Sequence, residues 1–537
     1  MNNFITLTKV FFLSGFNVNQ RKQNQKSAFA MLGATLGLFA LMSLIICFSL
    51  SSQLEKIGMP LITILFLLLI ASMMLNFVMS MYQLQSVLFN AKDYELLESL
   101  PVSKVCIIAS KLTAIYLINL FEDIALILPA SIMYMIKGGD VTTGLLAVLM
   151  SFFVSFVPIL VSTLIGAISA LLSARSKYSN IINIIVSLAF FLAFFGVYTY
   201  FAIVGPEKLA NISDYVFFIG WMNYGIAGEY LSLLYFILFN LGIGLLVVLF
   251  VSLIYRPVNS WMKSGGVHVD YDKVKKANEK NDLNINKVLL KKDWQMIYRR
   301  PTYLINSVLG CLFFLIAGIS FIFIPNIFMQ ESMDPTEREI MQMIFIYLVP
   351  MMGLFMNSIQ SPASCSISFE TRYGYEMLLT YPITPKDIIK PKLLIAVIME
   401  VVLNLIASTA IMLTLIFTNN INWIVFVELY LYPQLAGLLL AIVSMICGLR
   451  WAKLDFQNEA QVFKNSAATG FPLLFVMLPA LIPSGIHIAC AVMSKDLPYL
   501  NYVSLGVITL LYVAEIISSM LILKNKGTKL FRNIINK

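Results

Sequence analysis

Five carboxylates, Glu122, Asp123, Glu400, Glu428 and Glu515, stand inside long apolar runs that hold no Lys or Arg to pair with them. Ionisable groups in such runs are costly and mark functional positions by default. They must be protonated, hydrogen-bonded or reached by water. Two of them share a helical face with an amide four residues away: Asn119 with Asp123, and Glu400 with Asn404. Together with Asn76 and Asn357 these residues are candidates to line a transport path, and interhelical hydrogen bonding is the plainer alternative. Covalent chemistry is poorly supplied. The two histidines, His268 and His487, read as a linker residue and an outer-segment residue, so no Ser/His/Asp or Cys/His constellation assembles. Cys47, Cys106, Cys311, Cys365, Cys447 and Cys490 show no CxxC spacing and no metal-ligand cluster, and read as apolar fillers. No GxxxxGK[ST] stretch is present to cradle nucleotide phosphates, so ATP hydrolysis is not expected of this chain.

The elements that position these groups are set by lipid. Of 537 residues, 59% are hydrophobic and only 12% charged, and the mean hydropathy is +0.85, far from the make-up of a soluble domain. The apolar residues form blocks of the length a helix needs to cross hydrocarbon while satisfying its own backbone. Twelve spans are expected, over 28–50, 60–83, 112–136, 143–172, 181–204, 232–255, 302–325, 340–362, 393–417, 423–448, 467–492 and 500–523. The fold class is therefore all-α, a polytopic membrane protein. The block beginning near Ala28 is too long for a signal-peptide core and is expected to stay as an anchor.

With this threading, 32 of the 37 Lys and Arg residues fall on one side and only Lys56, Lys137, Lys208, Arg338 and Lys495 on the other. Positive loops are retained in the cytoplasm, which places both termini there. The net charge of +9 is accounted for by orientation and attraction to anionic membrane lipid, and nucleic acid is not expected as a partner.

An internal repeat runs through the chain. Tyr94-Glu-Leu-Leu-Glu-Ser-Leu-Pro101 matches Tyr375-Glu-Met-Leu-Leu-Thr-Tyr-Pro382 at an offset of 281 positions, which without a gap also pairs Lys111 with Lys392. The same offset carries Asn76 onto Asn357, Ser80 onto Ser361, Asn119 onto Glu400 and Asp123 onto Asn404. Six spans separate equivalent points, so two parallel six-helix repeats are expected. The division is a first half over 1–255, a polar linker over 256–285 and a second half over 286–537. At the start of the second half, Leu290, Trp294 and Ile297 share a face while Lys291, Lys292 and Asp293 point elsewhere, a pattern for a helix lying in the interface. Phe4, Leu7 and Phe11 suit the same role at the N-terminus.

The stretch Glu370-Thr-Arg-Tyr-Gly-Tyr-Glu-Met-Leu-Leu-Thr-Tyr-Pro-Ile-Thr-Pro-Lys-Asp-Ile-Ile-Lys-Pro-Lys392 resembles the cytoplasmic loop of type-2 ATP-binding-cassette (ABC) exporter permeases. The first repeat departs from that pattern, with Phe89 opposite Glu370 and Asp93 opposite Gly374. The resemblance implies a coupling helix in each loop that docks on a cytoplasmic ABC ATPase, through Asp93, Tyr94, Glu95 and Leu97 in one and Glu370, Arg372, Tyr375, Glu376 and Leu378 in the other. Short helices over about 91–99 and 372–380, stopped by Pro101 and Pro382, fit this; a plain reverse turn is the alternative. It further implies two ATPase copies carrying the ATP and Mg, no cofactor on this chain, a bacterial plasma membrane and export of a peptide, lipid-like molecule or drug. An ion-gradient-driven transporter or channel is the competing reading. The weakly polar stretch over 205–228 resembles the family's short outer re-entrant helices. Asn211-Ile-Ser213 forms a weak glycosylation sequon.

Overall fold

In the computed structural model, the described residues are 2–15, 60–89, 93–174, 216–264, 285–328, 335–357, 360–370, 372–417, 423–454, 456, 459–463, 466–493 and 499–535. Isolated positions between 33 and 47, and residues 185 and 189, complete them. Most of the expected spans 28–50 and 181–204, and the sequon at Asn211, lie outside them. Two compact units are present, one carrying the helices up to Ser264 and the other those named from Ile285 onward.

The first unit contains α1 (Asn2–Gly15), α2 (Ile62–Leu88), α3 (Tyr94–Ser99), α4 (Lys104–Ile136), α5 (Val141–Val154), α6 (Phe156–Ala174), α7 (Phe217–Ile226) and α8 (Tyr230–Ser264). The second contains α9 (Ile285–Tyr298), α10 (Pro301–Phe328), α11 (Pro335–Met356), α12 (Pro362–Ser366), α13 (Arg372–Leu379), α14 (Pro385–Phe417), α15 (Trp423–Arg450), α16 (Ala467–Met493) and α17 (Tyr499–Ile535). Among the described residues, seven helices are long and apolar enough to cross a membrane, and shorter apolar helices occupy Ile62–Phe77, Ile346–Met356 and Ala467–Met477. Those ten overlap the ten expected spans that fall on described residues.

The repeat extends to helix boundaries. At the offset of 281, α4 and α14 begin and end together and are 33 residues each. Both begin after a hydroxyl. Ser103 Oγ accepts from the Cys106 backbone N–H at 3.3 Å. Thr384, at the equivalent position, donates its backbone N–H to Asp387 Oδ2 at 2.9 Å and its hydroxyl to the same oxygen at 2.7 Å. Such caps satisfy the open amides of a first turn. At 1.5 Å per residue each helix is about 50 Å long, well beyond the roughly 30 Å of hydrocarbon. The excess of about 20 Å is nearly four turns, and Lys111 and Lys392 stand at equivalent positions near the start of each helix.

Three expectations are corrected. The run 340–362 is not one helix: α11 ends at Met356 and α12 restarts at Pro362, where Ser361 Oγ accepts the Ala363 N–H at 3.4 Å, a hydroxyl cap followed by a proline at N1. On α9 the buried face is Leu289, Asp293 and Ile297, while Trp294 is exposed; Asp293 turns inward because it has a buried cation to meet. His487 belongs to α16 and is fully buried rather than in an outer segment.

Inside the bundle, helices meet through side chains that repair or exploit the backbone. Pro433 removes the N–H that would bond the Leu429 carbonyl, and Ser408 Oγ from α14 donates to that carbonyl at 2.8 Å, the kind of repair a membrane helix needs. Gly437 lets α15 come close to α14: a Cβ there would meet Asn404 Nδ2 at 2.9 Å and Glu400 Cβ at 3.2 Å.

Candidate functional site

In each unit a buried lysine holds three elements together where a short helix precedes a long span. In the first, Lys111 of α4 is almost wholly buried. Its ammonium donates to the Val87 carbonyl of α2 at 2.9 Å and to Asp93 Oδ1, at the start of α3, at 3.2 Å. The ring of Phe11 on α1 lies 5.4 Å from the ammonium, within cation–π range. In the second, Lys392 of α14 donates to Asp293 Oδ1 of α9 at 2.8 Å and to the Ser366 carbonyl of α12 at 3.2 Å. Glu370 Oε2 is 4.0 Å from Lys392 and 2.5 Å from Lys292 of α9. A buried ammonium is tolerable only with charge and carbonyl partners around it. Both junctions supply them, and both tie the same three parts: the first helix of the unit, the end of the element before the loop, and the loop itself.

The departures from the repeat are thereby explained at the level of charge. Where Phe89 replaces the equivalent of Glu370, Asp93 supplies the acid from the head of α3. Where Gly374 replaces the equivalent of Asp93, Glu370 and Asp293 supply it.

The short helices present equivalent faces. Tyr94 and Leu97 of α3 are buried, and Tyr375 of α13 is completely so. The Tyr375 hydroxyl donates to the Ile367 carbonyl at 2.9 Å. Glu95 and Glu376, equivalent under the offset, are exposed, as are their neighbours Leu96 and Met377. Asp93 and Leu378 are half-buried, and Arg372 opens α13. Burial desolvates the Tyr375 phenol and raises its pKa well above the ordinary value, with the Glu370 carboxylate adding to the effect; Tyr94 is raised by burial too. Of the nine residues predicted for docking, Glu95 and Glu376 are exposed, whereas Tyr94, Leu97 and Tyr375 are buried.

A contact that the sequence did not reveal backs each short helix. The last helix of each unit is long enough to run past the apolar layer and reach it. Tyr255 of α8 packs edge-on to Tyr94, with ring centroids 5.7 Å apart, and Arg256 Nε lies 2.8 Å from Glu98 Oε1. Phe531 of α17 packs edge-on to Tyr375 at 5.2 Å, in a cluster with Leu378, Ile388 and Leu523. Their only trace in sequence is an aromatic residue near the C-terminal end of each half.

The transport-path candidates occupy the helix interfaces within their own units. Ser72 Oγ and Asn76 Nδ2 of α2 both donate to Asp123 Oδ1 of α4, the second at 2.7 Å. Asn119 Nδ2 donates to Ser80 Oγ at 2.8 Å. The equivalent of that last pair is Glu400 with Ser361, which hydrogen-bonds the Glu400 carboxyl. Asn404 Nδ2 donates to the Pro433 carbonyl at 2.9 Å, and Asn357 turns back to the Gly353 carbonyl at 2.8 Å. Asn76, Asn119 and Asp123 meet as α2–α4 in the first unit; in the second, Glu400 meets Ser361 and Asn404 meets α15, while Asn357 bonds back to Gly353.

A family model described as a membrane protein of 12 TMs matches residues 25–525. The chain belongs to this family. No curated protein matches it. For this 12-TM membrane protein, the family count exceeds the seven long apolar helices among the described residues by five.

Proposed function

We propose that the chain is the membrane-spanning permease of an ATP-driven exporter, with α3 and α13 as coupling helices that each seat on a separate cytoplasmic ATPase subunit. The observation that carries this reading is the pair of equivalent lysine junctions. Each short helix exposes an acidic and apolar tip, Glu95 with Leu96 or Glu376 with Met377, while its root is locked to a span and to an interfacial helix. A push on such a tip moves the attached spans as a body, because packed interiors transmit displacement rather than absorbing it. ATP and Mg would be held by the partner, and the chain's own role would be to open a path for an amphipathic or hydrophobic cargo, a peptide in the first instance, across the plasma membrane.

Two measurements test it. The purified chain hydrolyses no ATP and co-purifies from its native host with a P-loop ATPase; turnover by the chain alone would refute the assignment. Deleting residues 372–379 leaves membrane insertion intact but releases the ATPase and abolishes export. If export survives that deletion and is lost instead in the Asp123→Asn, Glu400→Gln double variant, the chain is an ion-driven transporter.

A further inference from the structure

The second unit buries an acid and an imidazole face to face, well away from its lysine junction. Glu428 of α15 and His487 of α16 are both wholly buried, with Oε2 and Nε2 3.3 Å apart. The other ring nitrogen, Nδ1, lies 3.1 Å from Ser504 Oγ of α17. With that hydroxyl donating its single proton to the Asn501 carbonyl, 2.9 Å away, it accepts from the ring. His487 therefore carries its hydrogen on Nδ1. In the neutral ring Nε2 is then a bare lone pair, and it is aimed at a carboxylate oxygen. Neither Oε2 nor Nε2 has any other hydrogen-bond partner among the described residues.

Two lone pairs at this distance repel, whereas one proton between them makes a charge-assisted hydrogen bond. We infer that Glu428 and His487 form a binding site for one exchangeable proton, held between Oε2 and Nε2. A hydronium ion delivers the proton and leaves as water; the pair passes from a net charge of −1 to neutrality, and no other bond changes. The site stands independently of the exporter reading.

The surroundings favour this role over a merely structural one. Tyr432 of α15 faces the carboxylate, its hydroxyl 3.5 Å from Oε1. Tyr347 of α11 and Tyr432 both present ring edges to the imidazole, at 5.6 and 5.9 Å. Tyr512 of α17 lies beside Tyr432, with Glu515 beyond it, and Glu400 of α14 sits farther along α15 near Gly437. Among the described residues no Lys or Arg forms an ion pair with Glu428. The internal repeat acts as a control: the residue equivalent to Glu428 is Ala147, and that of Tyr432 is Ser151, both fully buried. The same register is thus filled by a methyl group in the first unit, so the fold does not demand a carboxylate there, and burying one is costly. The cluster also joins four helices, since Asn501 Nδ2 donates to the Tyr347 hydroxyl at 2.8 Å. Occupancy by the proton decides whether α15 and α16 attract or repel at this point.

With only two histidines in the chain, His268→Gln leaves a single imidazole. The test is nitrogen NMR of that full-length variant, with ¹⁵N-imidazole label, in lipid nanodiscs from about pH 5 to pH 9, the interval in which histidine sites commonly exchange. The expected result is an Nδ1 that stays protonated throughout and an Nε2 resonance that moves with pH. Adding Glu428→Gln, whose amide gives Nε2 a permanent donor, should abolish the movement in protein that remains monodisperse, and Glu428→Asp should keep it with a displaced midpoint. A neutral ring protonated on Nε2, or an Nε2 resonance in His268→Gln that does not move over the whole range, overturns the proposal without reference to the second substitution.

Discussion

Lys111 and Lys392 show how one residue type at one register is kept by different means. Each ammonium is nearly closed off from solvent, with side-chain exposures of 1%, and each would be intolerable without its acid. Lys392→Met should therefore be severe, because it leaves Asp293 and the nearby Glu370 with a negative charge sealed in. The expected loss is about 3–5 kcal/mol, the usual cost of stranding one partner of a buried pair, seen as a lowered midpoint in thermal unfolding of the detergent-solubilised protein. Combining it with Asp293→Leu should recover most of that loss, since replacing both ends of a buried pair by apolar groups is often close to neutral. If the double variant is as unstable as the single, the lysine is acting through something other than Asp293. That Lys111 and Lys392 correspond was plain in the sequence. Which acids they meet was not, because Asp93 follows the preceding span while Asp293 lies 99 positions away on an amphipathic stretch, where a carboxylate reads as part of a wetted face.

At the scale of elements, α3 and α13 are six and eight residues long, too short to hold a helical form by themselves. Their stability comes from what they lean on, and for α13 that is the far end of α17. Phe531 is fully buried against Tyr375, so Phe531→Ala should cost about 3–5 kcal/mol of local packing. The expected outcome is faster proteolytic cutting across residues 372–384 with cleavage elsewhere unchanged, while Phe531→Leu gives a much smaller effect. Unaltered cutting in the alanine variant would mean that α17 does not support α13. The short helices were legible because Tyr and Leu recur at helical spacing ahead of Pro101 and Pro382. The contribution of α8 and α17 was not, since hydropathy ends a span where its apolar residues stop and says nothing of a helix that continues into polar surroundings.

For the whole molecule, the exporter proposal requires twelve alternating spans that put the two short helices on one side of the membrane. Cysteines introduced at the exposed positions Glu95 and Glu376, in a background lacking the six native ones, should react with an impermeant maleimide only after cells are opened. Labelling of either one in intact cells would break the alternation on which the docking proposal depends. The all-helical, many-span class and the repeat at an offset of 281 were determined by the sequence itself, because lipid obliges each crossing to be a self-satisfied apolar helix, and that requirement is written locally, one stretch at a time. Only the tertiary structure decided which face of α9 turns inward, that His487 is buried against Glu428 rather than lying outside, and that the last helix of each unit braces its short helix. Those outcomes depend on polar atoms far apart in the chain meeting where water is excluded, where an unmet hydrogen bond or charge costs more than any local preference.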